Sequence, residues 1–178
     1  TLKTRLNLER GAAKEIINFA LEINPDLVTL VPEKRQELTA EGGLDVVGNF
    51  SRAQEAVAAF SEKNIPTSMF VDPDPKQLEA SAKIGSPWVE LHTGSFARAW
   101  FCPDKRGHEL SILHKGMEVG ISLGLQVNAG HGINYENVEG AKTLDQVTEF
   151  NIGHSIICRS LEYGLSEAVS TMRNLLNS

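Results

Sequence analysis

Cysteine is scarce: the sequence holds only Cys102 and Cys158, far apart and with no CxxC spacing. That excludes a disulfide scaffold and a structural zinc site, and predicts buried or inert thiols in a reducing cytosol. Long apolar runs are also missing. None approaches the ~20 residues that a membrane helix needs, and no signal peptide opens the chain, so the reading is a cytoplasmic protein. Basic clusters are absent too, and the formal net charge is −6. This argues against nucleic acid or an anionic membrane as the main partner, and makes any phosphate site a local one. No linker, low-complexity tract or close repeat divides the chain.

What remains is an ordinary globule. At 178 residues, with 41% hydrophobic and 22% charged, the chain suits a single domain over 1–178, burying roughly 70% of its unfolded surface. Six strands are written as short apolar runs: Leu6 to Glu9, Leu27 to Val31, Pro66 to Val71, Trp88 to His92, Leu125 to Asn128 and Glu149 to Ile152. Helical spacing follows each one. Ala12 to Ile23 comes after the first, and Ser51 with Gln54 forms a capping box that opens a helix through Lys63. Asp74 and Pro75 start a helix that Gly85 stops. Past a loop from Thr93 to Gly107, Glu109 to Leu123 reads as a helix weakened by Gly116 and Gly120. Asn134 to Lys142 and Ser155 to Leu176 complete the pattern. Strict alternation implies parallel strands joined by right-handed crossovers. Six units suit a doubly wound open sheet, and equally a barrel that requires eight.

The stretches that carry chemistry lie at strand ends. Val127-Asn128-Ala129-Gly130-His131-Gly132 and Asn151-Ile152-Gly153-His154 each end an apolar run in glycine and histidine before a helical pattern. Glycine there lets backbone N–H groups approach an anion, and a helix N-terminus adds positive potential. Paired turns of this kind make a phosphate cradle, which barrels place after their last strands. Glu9 ends the first strand, where a solvated carboxylate is the plain reading and catalysis the sharper one. Glu90 sits inside an apolar strand, where an acid must be paired, with a lysine for instance, or used as a general acid or base of raised pKa. His92, His131 and His154 converge on one mouth, suited to proton transfer or to a metal, although no HxH or HExxH spacing supports the metal. His108 and His114 read as solvated. The loop from Pro32 to Gly43 is long enough for a lid, with Gly42 and Gly43 as hinges and Lys34, Arg35 or Thr39 as phosphate contacts; a mobile surface loop is the plain alternative.

Leu30-Val31-Pro32-Glu33-Lys34-Arg35-Gln36-Glu37, Thr39 and Glu41-Gly42-Gly43-Leu44-Asp45-Val46, with Glu90-Leu91-His92-Thr93-Gly94 and the two strand-end stretches, resemble the pyridoxine 5′-phosphate synthase family of the bacterial vitamin B6 pathway over essentially the whole chain. The resemblance implies a (β/α)₈ TIM barrel of which this chain supplies the C-terminal part, about six of the eight units. It implies condensation of 1-deoxy-D-xylulose 5-phosphate with 3-amino-2-oxopropyl phosphate to pyridoxine 5′-phosphate, phosphate and water, by acid–base catalysis without metal or organic cofactor. Glu9 then resembles a proton acceptor, His131 a proton donor and Glu90 a stabiliser of charged intermediates. Thr39 resembles the sugar-phosphate contact, and Gly132, Gly153 and His154 the contacts to the amino-ketone phosphate. The implied partners are small phosphorylated substrates and further copies of the chain, octamers being the family's assembly.

The departure is at the front. The family's first strand, with an Asn-Ile-Asp-His stretch, and its second, with a catalytic histidine and basic residues, have no counterpart before Thr1, so the expectation is a truncated barrel. Ala99-Trp100-Phe101-Cys102-Pro103 is more apolar than the family pattern and suggests packing against another subunit. Two rivals stay open: an inactive or partner-completed fragment of such a barrel, and another phosphate-binding barrel of aldolase or isomerase type.

Overall fold

The computed structural model describes residues 2–33, 35–39 and 42–178. Its strands are β1 (Asn7–Arg10), β2 (Leu27–Leu30), β3 (Thr67–Val71), β4 (Trp88–His92), β5 (Gln126–Gly130) and β6 (Phe150–Asn151). The helices are α1 (Lys14–Ile23), α2 (Phe50–Ser61), α3 (Pro75–Lys83), α4 (Gly94–Ala99), α5 (Pro103–Ser122), α6 (Val138–Ala141), α7 (His154–Tyr163) and α8 (Leu165–Asn177). All neighbouring strands pair in parallel, in the order β1-β2-β3-β4-β5-β6. A doubly wound sheet needs a point where strand order reverses. This order never reverses, so the ambiguity between open sheet and barrel resolves toward the barrel.

An ion pair shows how far the sheet curls. Five strand spacings of about 4.8 Å would hold the edges of a flat sheet of this size roughly 24 Å apart. Arg5, just before β1, nevertheless reaches Glu149, just before β6, at 2.7 Å. The six strands therefore form a curled half-barrel of TIM-barrel type.

The register sorts side chains into two opposed faces. Leu30, Met69, Val89 and Val127 lie in one cross-strand row, each at most 1% exposed, and pack outward into the core that the helices complete. Burying each such side chain contributes about 1.5–3 kcal/mol. The alternate positions face the inside of the curl and include a polar set among apolar Phe70 and Trp88: Glu9 pairs with Thr29 and Thr29 with Ser68, while Glu90 pairs with Asn128. Thr29 Oγ1 donates to Asn7 Oδ1 at 3.0 Å. Ser68 Oγ and Asn128 Oδ1 are buried there with no hydrogen-bond partner among the described residues.

Several elements differ from the sequence expectation, each for a local reason. The stretch 93–107 is mostly helical: α4 fills its first part and α5 begins at Pro103, whose fixed φ and missing N–H suit the first helical position. Within 134–142 only α6 is a helix. Asn134 Oδ1 accepts from Glu136 N and Asn137 N while Asn137 Oδ1 accepts from Asn134 N, so side chains take the bonds a longer helix would use. Gly164, at φ 82°, splits the C-terminal pattern into α7 and α8. Ser51 lies inside α2, whose N-cap is Asn49, and no side-chain cap forms there. Trp100 stacks edge-on against Phe96 at 5.5 Å and carries Arg106 over its ring at 4.8 Å, while Phe101, at 78%, and Pro103 of the apolar run are exposed.

Gly116 and Gly120 do not merely weaken α5; they let it approach the sheet. A Cβ at Gly116 would lie 2.6 Å from Pro73 Cβ, and one at Gly120 2.9 Å from Val127 Cγ2. Gly107, in the same helix, has open space around it. Gly107→Ala is therefore expected to stabilise the fold by about 1 kcal/mol through helix propensity, while Gly116→Ala destabilises it by about 1–3 kcal/mol through overpacking. Urea unfolding of the two variants checks the opposite signs.

Candidate active site

A cavity of about 990 Å³ opens at the C-terminal ends of the strands, the end at which barrel enzymes place their chemistry. Glu9 enters it from β1, Glu90 from β4, His131 from the turn after β5 and Asn151 from β6; Gly132, Gly153 and His154 line its rim. Thr39 is not among the lining residues, although Gly42 of the same loop is.

Glu90 is 3% exposed. Its partner is an amide and not a lysine: Asn151 Nδ2 donates to Glu90 Oε2 at 2.6 Å. Burial, aided by the charges of Glu9 and Glu149 and opposed by the Asn151 bond, leaves the Glu90 carboxyl raised to about 7. Room for this carboxyl is made by a missing side chain. A Cβ at Gly130 would lie 2.2 Å from Glu90 Oε1 and 3.0 Å from Asn151 O, so a side chain there would displace the carboxyl from the place it occupies.

The turn after β5 is strained. His131 and Gly132 both have φ 79°, a left-handed conformation that costs a non-glycine residue about 1–2 kcal/mol. Thr93 holds it: its hydroxyl lies 2.8 Å from Gly130 O and 2.6 Å from His131 O, and its N–H donates to Gly130 O. Burial, together with the nearby His92 and Arg98, lowers the pKa of His131, so the imidazole is neutral at neutral pH. The His92 ring lies 5.0 Å from that of His131 and 5.1 Å from Phe70.

Of the three imidazoles expected at one mouth, His131 and His154 line the cavity and His92 is not among its lining residues. His92 and His131 touch, whereas His154 begins α7 on the cavity rim with Nε2 3.6 Å from Cys158 Sγ. Of the two thiols expected to be buried or inert, neither is buried: Cys102 is intermediate, and Cys158 is exposed because that face of α7 is uncovered. Among the described residues no three His, Cys, Asp or Glu side chains gather to hold a metal ion. Gly153 caps α7 with open space where a Cβ would stand, so packing does not demand glycine there. The N–H groups of the first helical turn, and the positive potential they carry, lie at the cavity.

The loop before α2 is tied down along its described residues. Leu38 bridges Leu44, Thr39 N donates to Gly43 O at 2.9 Å, and buried Glu37 pairs with Arg52 at 2.5 Å. Of the basic residues expected to meet phosphate, Lys34 and the side chain of Arg35 lie outside the described residues. The Thr39 hydroxyl bonds Gly43 O and the Asp72 carboxylate. Asp72 also accepts from Gly43 N at 3.2 Å and bonds His92 Nδ1 at 3.0 Å. Burial pushes its carboxyl up, but the bonds from His92 and Thr39, the His92 charge and the Gly43 bond outweigh it and leave the pKa lowered. Asp72, Thr93 and Asn151 have no assigned role in the sequence reading. A polar residue just past or at the end of a buried strand is the signal all three share, and it marks position without naming a partner.

A family model described as "Pyridoxal phosphate biosynthesis protein PdxJ" matches residues 1–178. Curated relatives named pyridoxine 5′-phosphate synthase include one from Prochlorococcus marinus, 49% identical over 178 residues, which are 100% of this chain and 72% of that protein. One from Synechococcus sp. is 48% identical over 176 residues, 99% of this chain and 73% of its own length. Another, from Solidesulfovibrio magneticus, is 51% identical over 172 residues, 97% and 71% of the two chains.

The raised Glu90 pKa links folding to pH. Its folded value, about 7, lies above the ordinary 4.5, so the contribution is complete below about pH 4.5 and is lost as pH rises through 7, a change on the order of 3 kcal/mol. Unfolding of the wild type at pH 5 and pH 8 should show this loss, and Glu90→Gln should flatten it.

Proposed function

We propose that this chain, which belongs to the pyridoxal phosphate biosynthesis protein PdxJ family, builds the pyridine ring of pyridoxine 5′-phosphate by stepwise proton transfer in the strand-end cavity. The observation that carries the reading is one cavity holding a buried carboxyl near 7, a neutral imidazole and a second, exposed carboxylate at Glu9. Joining an amine to a ketone releases water and needs a proton delivered to the departing hydroxyl. Tautomerising the imine removes a proton from carbon and returns one elsewhere, and eliminating phosphate again takes a proton from carbon. No single strong nucleophile serves all of these steps; groups that accept and return protons near neutral pH do.

On this reading the substrates are 1-deoxy-D-xylulose 5-phosphate and 3-amino-2-oxopropyl phosphate. Glu9 accepts a proton, His131 takes one up and donates it, and Glu90 in its protonated form offers a hydrogen bond to charge developing beside it. The backbone at Gly132 and the α7 N-terminus at Gly153 and His154 hold the amino-ketone phosphate. Thr39 contacts the sugar phosphate, its loop reaching the cavity through Gly42.

The test supplies both substrates to the chain and follows pyridoxine 5′-phosphate together with inorganic phosphate, expected in equal amounts. Glu90→Gln and His131→Asn should each slow turnover by about 100-fold or more while KM changes only a few-fold. Equal losses in turnover and affinity would show that these residues bind substrate without moving protons.

A further inference from the structure

We propose that Asp72 is a positioning residue that clasps Thr39, Gly42 and Gly43 to His92, so that the seat of these loop residues at the cavity edge and the seat of His131 form one unit. Asp72 stands just past β3, outside the cavity lining, and the chemistry above does not use it. Its carboxylate nevertheless takes donors from both sides. Gly43 N and His92 Nδ1 meet Oδ1 at 3.2 and 3.0 Å, and the Thr39 hydroxyl meets Oδ2. The side chains of His92 and Asp72 are 5% and 8% exposed, so little water competes for these bonds.

The shared acceptor makes the two sides interdependent. A carboxylate only accepts, so it fixes the proton of His92 on Nδ1 and with it the orientation of the ring. The loop lies on that ring: a Cβ at Gly42 would stand 3.0 Å from His92 Cε1, and one at Gly43 2.5 Å from Asp72 N, so both glycines are pressed against the clasp. On the far side, the His92 ring meets that of His131 at 5.0 Å. Removing the Thr39 hydroxyl leaves the Asp72 charge shared among fewer donors, which strengthens the bond to His92. A change in the loop thereby reaches His131, which the loop residue does not touch.

Imidazole and amide NMR of the full chain tests this without relying on the proposed reaction. Thr39→Val should move the His92 Nδ1 proton downfield, shift the ring resonances of His131, and speed exchange of the Gly42 and Gly43 amides about tenfold or more. Asp72→Asn keeps a carbonyl acceptor but removes the charge, so it should move the His92 Nδ1–H signal upfield and shift the His131 ring resonances, and in the ring-forming assay it should lower kcat and also raise KM for the sugar phosphate, because the loop that carries Thr39 is held less firmly. If Thr39→Val leaves both histidine rings unmoved, the clasp is wrong, whether or not the chain makes pyridoxine 5′-phosphate. That variant also decides the matter should Asp72→Asn fail to fold. The predicted NMR shifts in a chain that forms no product would support the clasp and count only against the reaction.

Discussion

The arrangement of this molecule depends on keeping one carboxyl out of water. Glu90 stands in the middle of β4 on the inner face of the curled sheet, and burying it as an unpaired anion would cost several kcal/mol. Three features meet that demand. Gly130 on the neighbouring strand leaves the space that the carboxyl occupies, Asn151 one strand further supplies a hydrogen bond, and protonation near neutrality removes the charge for part of the time. Each belongs to a different strand, so the environment of Glu90 exists only when β4, β5 and β6 are paired in register.

Around that centre the strand ends are held by polar contacts instead of apolar packing. Thr93 fastens the left-handed turn at His131 and Gly132, and Asp72 fastens the loop and His92. The outer face differs: its rows of Leu, Val and Met pack against helices and supply the bulk of the stabilisation. The division between a stabilising outer layer and a polar inner one lets the cavity carry strain and unsatisfied groups that the core absorbs.

Much of this was legible in the chain. Alternation of apolar runs with helical spacing identified six strand–helix units, and β4 fell on the predicted residues. The acid inside an apolar strand and the glycine–histidine strand ends marked residues that meet in one cavity. The errors were of other kinds. Pro103 starts a helix where the sequence pattern predicts a loop, Asn134 and Asn137 break a helix that periodicity favours, and Ser51 matches a capping box yet lies within the first turn. In each case a local side chain or tertiary contact overrode the periodic pattern.

The sequence by itself determined where six strands lie, to within one or two residues at each end, and that an acid and several histidines end up near strand C-termini, because these follow from period and composition along a few neighbouring residues. Tertiary structure alone decided that the strand order never reverses, that Glu90 answers to Asn151 and not to a lysine, that Thr39 points at Asp72, and that His131 and His154 line the cavity while His92 packs against His131 from outside its lining. Such pairings join residues as far apart as 61 positions, and the free energy that selects them comes from desolvation and register across the whole sheet. No local stretch of sequence carries that information.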